Sequence, residues 1–202
     1  AGIKNYLHRQ LLRNLRTANE HSSVEMKLNG YLAEIDLLYK RELYRECAAK
    51  IKKARACAGK YDKFSEQLKL ISWETKLAIN NYDMQRLQLL NEQWIEEERQ
   101  VLEKFAELNQ VRNLWFRLSL LLSRAGQAQS LKSFLSHPLM QKPLRSFPAE
   151  ALRLQINIIC TAGTDQRAAN YASYNELLGI FKANPHQIEE SPNVYGGVLL
   201  EQ

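Results

Sequence analysis

The side chains able to do chemistry are few and scattered. His8, His21, His137 and His186 stand far apart, and none shares an HExxH or comparable spacing with a second ligand. His8 and His21 read as surface or cap residues, while His137 and His186 flank prolines in turn sequence. Cys47, Cys57 and Cys160 form no CxxC pair, and no neighbouring histidine activates any of them. Each falls on or beside an apolar helix face, where a reduced thiol packs as a small hydrophobe, so the expected compartment is a reducing cytoplasm. Glu96-Glu97-Glu98 places three carboxylates in a row. Consecutive helical residues point about 100° apart, so the three cannot converge on one cation and read as a solvated face. Gly196-Gly197 lacks the Lys-Ser/Thr of a phosphate-binding loop. The expectation is a non-enzymatic protein with no catalytic residue, no metal and no cofactor.

Charge is the next chemical signal. The chain carries a net +6, unevenly spread. Residues 1–60 hold 13 Lys/Arg against 6 Asp/Glu, a surplus of +7, whereas residues 61–110 hold 6 against 10, a deficit of −4. Lys50-Ile51-Lys52-Lys53-Ala54-Arg55, with Lys40, Arg41 and Lys60 nearby, is the segment a nucleic acid or another acidic partner would use. The same residues also suit the solvent face of an amphipathic helix, which the acidic stretch after residue 60 would offset once helices stack.

The elements that must position these residues are helices throughout. With 202 residues, of which 45% are hydrophobic, the chain can bury a sizeable core, and its 8 glycines and 5 prolines are too few for a many-turned β protein. The longest apolar runs fall well short of the roughly 20 residues that cross a bilayer. Ile3, Leu7, Leu11, Leu15 and Ala18 make a first stripe. Ser22-x-x-Glu25 is a candidate capping box ahead of Leu28, Tyr31, Leu32, Ile35, Leu38 and Tyr39. After Lys40-Arg41-Glu42 comes Leu43, Tyr44, Cys47, Ala48, Ile51 and Ala54, a helix expected to stop with Gly59 at the left-handed position.

A helix after Asp62 is apolar on two sides, through Phe64, Leu68 and Ile71 and through Leu70, Trp73 and Leu77. Asn80-Asn81-Tyr82-Asp83 marks a turn. Residues 84–125 then carry a helical pattern without Gly or Pro, and two helices with a break near Leu108-Asn109-Gln110 are expected. Pro138, Pro143 and Pro148 bracket an irregular loop. Beyond it, one helix runs to Ala162, and the next is lined by Tyr171, Tyr174, Leu178 and Phe181. Ser191-Pro192 opens a last one. Trp73, Trp94 and Trp115 occupy apolar helical positions and are expected in the core.

Tyr44-x-x-Cys47-x-x-x-Ile51-x-x-Ala54 resembles the second helix of a tetratricopeptide repeat, in which an aromatic residue, small residues and a large apolar residue recur at that spacing. Tyr82, 38 residues on, holds the corresponding position, and Asn184-Pro185 closes the last complete hairpin. Unit lengths exceed the family's 34 residues. The overall layout is similar to uncharacterised bacterial repeat proteins, a likeness that implies no activity.

The resemblance implies an all-α fold of antiparallel helical hairpins stacked as a TPR-like right-handed solenoid, a single domain over 1–202. The helix opened by Ser191-Pro192 begins an apolar face without a partner, so the chain is expected to be a fragment of a longer one. The resemblance also implies an interaction scaffold that captures a peptide or protein in a groove, with Asn29, Asp36, Lys40, Gln67 and Glu74 facing the partner. Two other readings stand beside it. One is a nucleic-acid-binding module built on residues 40–60. The other is a structural oligomerisation segment, a homodimer paired through residues 84–125.

Overall fold

The computed structural model describes residues 2–19, 23–80, 84–123, 128–162 and 167–200. Ten α-helices and one 3₁₀ turn make up the ordered elements among them, with no strand. The helices are α1 (Gly2–Asn19), α2 (Val24–Lys40), α3 (Tyr44–Lys60), α4 (Phe64–Ile79), α5 (Met84–Leu122), α6 (Ala128–Leu135), α7 (Phe147–Thr161), α8 (Arg167–Ala183), α9 (His186–Glu190) and α10 (Pro192–Leu200). The protein is therefore all-helical. No helix among the described residues is long and apolar enough to cross a membrane. Contacts divide the chain into two compact units, 1–98 and 99–202, the division falling within α5.

In the first unit, α2, α3 and α4 fold back on one another in turn. Glu34 pairs with Lys50 and the Ile35 carbonyl accepts the Cys47 thiol, while Arg55 pairs with Glu74 and Ala58 meets Gln67. In each set, later residues of one helix meet earlier residues of the other, so neighbouring helices are antiparallel. Their shared core is Leu28 and Ile35, then Cys47, Ile51, Ala54 and Ala58, then Leu70 and Leu77. Three of the four α3 positions are small, which lets α2 and α4 both approach it closely. The face read from the Tyr44 to Ala54 spacing is thus a core face.

The turns after α2 and after α3 are both Schellman motifs. After α2, Glu42 is left-handed (φ 60°), its N–H donating to the Tyr39 carbonyl while Leu43 N–H donates to that of Leu38 (both 3.0 Å). After α3, Asp62 (φ 51°) donates to Gly59 at 3.3 Å and Lys63 to Ala58 at 2.9 Å. The expected left-handed glycine is therefore a correction: α3 runs through Gly59 to Lys60, and Asp62 takes the left-handed position. Aspartate tolerates that conformation better than most residues with a Cβ. The N-cap of α2 is likewise Ser23, whose hydroxyl accepts the Met26 N–H at 3.2 Å. Ser22 of the expected capping box lies outside the described residues, as do Asn81, Tyr82 and Asp83 of the expected turn.

No break divides α5 at Leu108-Asn109-Gln110; it is one helix of 39 residues. Leu108, Val111, Leu114 and Leu118 are buried at successive helical spacings, while Asn109 and Gln110 are exposed. Asparagine and glutamine each cost less than about 0.7 kcal/mol against alanine in a helix, which the continuous buried stripe outweighs.

The second unit centres on α7 and α8, antiparallel by the pairs Arg153–Glu176 and Ile158–Asn170. Its core joins Ala151, Leu154 and Ile158 to Leu177, Leu178, Phe181 and Val198 of α10. Tyr171, expected along this face, is instead 62% exposed. Between α6 and α7 the proline-rich loop contains one 3₁₀ turn, Pro138–Met140, capped by His137, whose Nδ1 accepts the Leu139 N–H at 3.2 Å.

Candidate binding pocket

The five residues expected to face a partner lie on two helices, Asn29, Asp36 and Lys40 on α2 and Gln67 and Glu74 on α4. Asn29 is exposed on α2. Asp36 and Lys40, one helical turn apart, pair with each other at 2.6 Å. Gln67 turns inward, its amide donating to the Ala58 carbonyl at 3.1 Å, so it fastens α4 to α3. Glu74 lines a cavity.

That cavity, about 420 Å³, lies within the first unit and is lined by Ala48 and Ile51 of α3, Glu74 and Leu77 of α4, and Leu90 and Trp94 of α5. Tyr44 and Arg45 also line it. Its size falls in the roughly 300–1,000 Å³ range of ligand pockets, and its mix of apolar walls with one inward carboxylate is their usual composition. The register of α3 explains the lining. Cys47, Ile51, Ala54 and Ala58 occupy the core stripe, so Tyr44, Arg45 and Ala48 fall beside it.

Four polar side chains meet at this cavity's edge. Arg55 bridges Glu74 Oε2 through one terminal nitrogen and Glu97 Oε1 through the other. The Trp94 indole N–H also donates to Glu74 Oε2, at 3.3 Å. Burial pushes the Glu74 carboxyl above its ordinary range, and the opposing pull of the Arg55 charge and the Trp94 hydrogen bond does not cancel it. Arg55 stays protonated, its pKa raised because the bonds and charges of Glu97 and Glu74 together outweigh its own desolvation.

No protein-family model matches the chain, and no curated protein or solved structure matches it.

Sequence reading placed Arg55 in a basic surface stretch and Trp94 in the core. Arg55 is instead held by two carboxylates, and Trp94 is half-buried at the cavity. Neither pairing has a sequence signal, because the partners lie 19, 42 and 20 residues apart on different helices. Two other cations of the basic segment are also engaged. Lys50 pairs with Glu34 and lies over the Tyr31 ring, and Lys60 lies over Tyr61. Lys52 and Lys53 are exposed.

Cys160 is buried and its thiol is pushed up to about 11 by desolvation. Burial also raises Cys47. Among the described residues no group of His, Cys, Asp and Glu side chains is placed to hold a metal ion. A second cavity of about 380 Å³ belongs to the second unit, lined by Trp115, Ile158, Ile159, Tyr174, Leu177 and Val194. It is almost wholly apolar and more open than the first. Its Trp115, expected in the core, is half-buried there.

Proposed function

We propose that this chain is a non-enzymatic interaction scaffold of TPR-like type, which captures a peptide or an extended protein segment in the pocket at Glu74. One observation carries the reading: a preformed cavity where apolar and aromatic side chains surround a half-buried carboxylate, at the junction of three successive helices. Stacked hairpins that expose such a site can bind with little rearrangement, because two of the pocket's walls, α3 and α4, pack on a shared core. Glu74 is the recognition residue in this reading. Asn29, Asp36 and Lys40 on the exposed side of α2 are contacts further along the bound segment, and Gln67 holds the groove's wall.

Blocking the pocket tests this. Ala48 is an exposed residue of α3 that lines the cavity, so Ala48→Phe fills the space without entering the core. Peptides selected from a displayed random library against the 202-residue chain are expected to lose at least about tenfold in affinity for Ala48→Phe, the loss of one well-buried anchor. Circular dichroism should be unchanged. Peptides that bind both proteins equally would remove the pocket from the function.

A further inference from the structure

We propose that the outward face of α5 between Leu102 and Leu120 pairs antiparallel with the same face of a second copy of this chain. The face belongs to the second unit, so the pairing stands independently of the pocket at Glu74. Leu102, Ala106, Asn109, Asn113, Phe116 and Leu120 are all exposed, Phe116 to 62%. At about 100° per residue they fall within an arc of about 80°, opposite the buried Leu108, Val111, Leu114 and Leu118. Ala106, Asn113 and Leu120 recur at every seventh residue, as do Leu102, Asn109 and Phe116. Two such interleaved repeats make the seam of a two-helix coiled coil. No charged residue lies on the seam between its ends.

The order of residues along the seam selects its occupant. The steps run 4, 3, 4, 3 and 4 residues, so the seam is symmetric about Val111. Turned end for end on a second copy, Leu102 meets Leu120, Ala106 meets Phe116 and Asn109 meets Asn113. Each contact then occurs twice about a two-fold axis. Every layer is complementary: leucine on leucine, a small residue under a large ring, and two amides that each donate and accept. A lipid surface or an apolar peptide would leave both asparagines unmatched, a cost that a second copy avoids.

Charge and size select the direction. Arg112 and Arg117, both exposed, flank the seam on opposite sides. In a parallel pair each Arg112 would face the other copy's Arg117, Phe116 would crowd Phe116, and Ala106 would leave a gap against Ala106. In the antiparallel pair Arg117 comes beside Glu103, which stays half-exposed although Arg99 and Arg145 hold it. The opposing feature is Arg112, which stands near the axis and meets its own copy. From Leu102 to Leu120 the helix rises about 27 Å, and the contact is one helix wide. That footprint is below the roughly 800 Å² per partner of a standard stable interface, so the dimer is weak and reversible.

Sedimentation equilibrium of the 202-residue chain, loaded at about 10–500 µM, is expected to show a monomer–dimer equilibrium with a Kd of roughly 10–100 µM. Phe116→Glu, at an exposed position, should raise that Kd at least about tenfold with unchanged circular dichroism, because its carboxylate would face Ala106 in a desolvated layer. Arg112→Gln should lower the Kd a few-fold, a gain that no folding defect imitates. For direction, Asn109→Cys mixed with Asn113→Cys should form the mixed disulfide faster than either variant links to itself. A chain that stays monomeric at about 500 µM overturns the surface, as does a dimer that Phe116→Glu leaves intact or that Arg112→Gln does not tighten. Disulfides that form within each variant alone overturn the antiparallel direction.

Discussion

Arg55 in the first unit and Arg153 in the second each stand between two carboxylates, Glu74 and Glu97 for one, Glu150 and Glu176 for the other. The Arg153 side chain is 7% exposed and its Glu150 partner 9%, whereas Arg55 is 26% exposed. Glu150 has both oxygens filled. Oε1 takes Arg153 Nη2 at 2.6 Å, and Oε2 takes Arg153 Nε and the Leu144 N–H, both at 2.8 Å. Arg153 also reaches the Met140 carbonyl at 3.4 Å. The second cluster therefore ties the loop before α7 to that helix and leaves nothing over. Glu107 and Glu103 on α5 hold the same loop, through the Arg145 N–H and guanidinium, both at 2.8 Å. The first cluster is open to solvent at both of its carboxylates, and its Glu74 lines a cavity. The second is a fastening buried in its unit, and the first is a half-exposed ion pair.

The sharpest way to break that comparison is to remove the two arginines separately. Arg153→Met should cost the second unit about 3–5 kcal/mol, because Glu150 would be left buried without its charge partner. Arg55→Met should cost the first unit no more than about 1 kcal/mol, since solvent reaches both of its carboxylates. Denaturant titrations followed at the Trp115 indole resonance for one unit and the Trp73 resonance for the other read these losses independently. Equal losses would mean the Arg55 cluster is as structural as its counterpart.

A smaller effect lies beside the saturated cluster. Ser146 Oγ, at the N-cap of α7, is buried with no hydrogen-bond partner. Ser146→Ala should stabilise the second unit by up to about 1 kcal/mol, because it removes a desolvated hydroxyl without losing a bond. A loss instead would mean that the hydroxyl has a water partner.

The smallest is a pH effect confined to the first unit. Folding raises the Glu74 pKa, so near and just above the ordinary carboxyl value of about 4.3 the unfolded chain gives up this proton first. The stability from this group is complete below that value and is lost as pH rises through the folded pKa. Stability measured across the mildly acidic range should therefore fall with pH at the Trp73 probe, and Glu74→Gln should flatten the slope. A slope unchanged by the substitution would assign it to another carboxyl.

Local periodicity carried most of the fold. Cys47, Ile51 and Ala54 on one stripe, the polar break at Lys40 to Glu42 and the prolines around residue 143 each depend on neighbours within a few residues, and each appears in the structure as read. Errors arose where two local signals competed or where a partner was remote. Gly59 looked like a helix end because glycine suits the left-handed position, yet α3 runs on to Lys60 and the Schellman bonds put the left-handed position at Asp62. Asn109 looked like a break because the buried stripe that carries the helix past it was weighed too lightly. At the site, Glu74 was legible as a polar residue on a doubly packed helix. Arg55 and Trp94 were not legible as its partners, because that requires knowing how α3, α4 and α5 meet.

The matched Schellman turns at Glu42 and Asp62 have a kinetic consequence. They join three helices of 17, 17 and 16 residues through connections of only three residues, and the core between them closes among helices adjacent in the chain. Closing such short loops costs little entropy, since each doubling of loop length adds only about 0.6 kcal/mol. The first unit is a low-contact-order assembly, of the class that folds in microseconds to milliseconds. Either turn can serve as the starting point, so no single hairpin need be formed before the other.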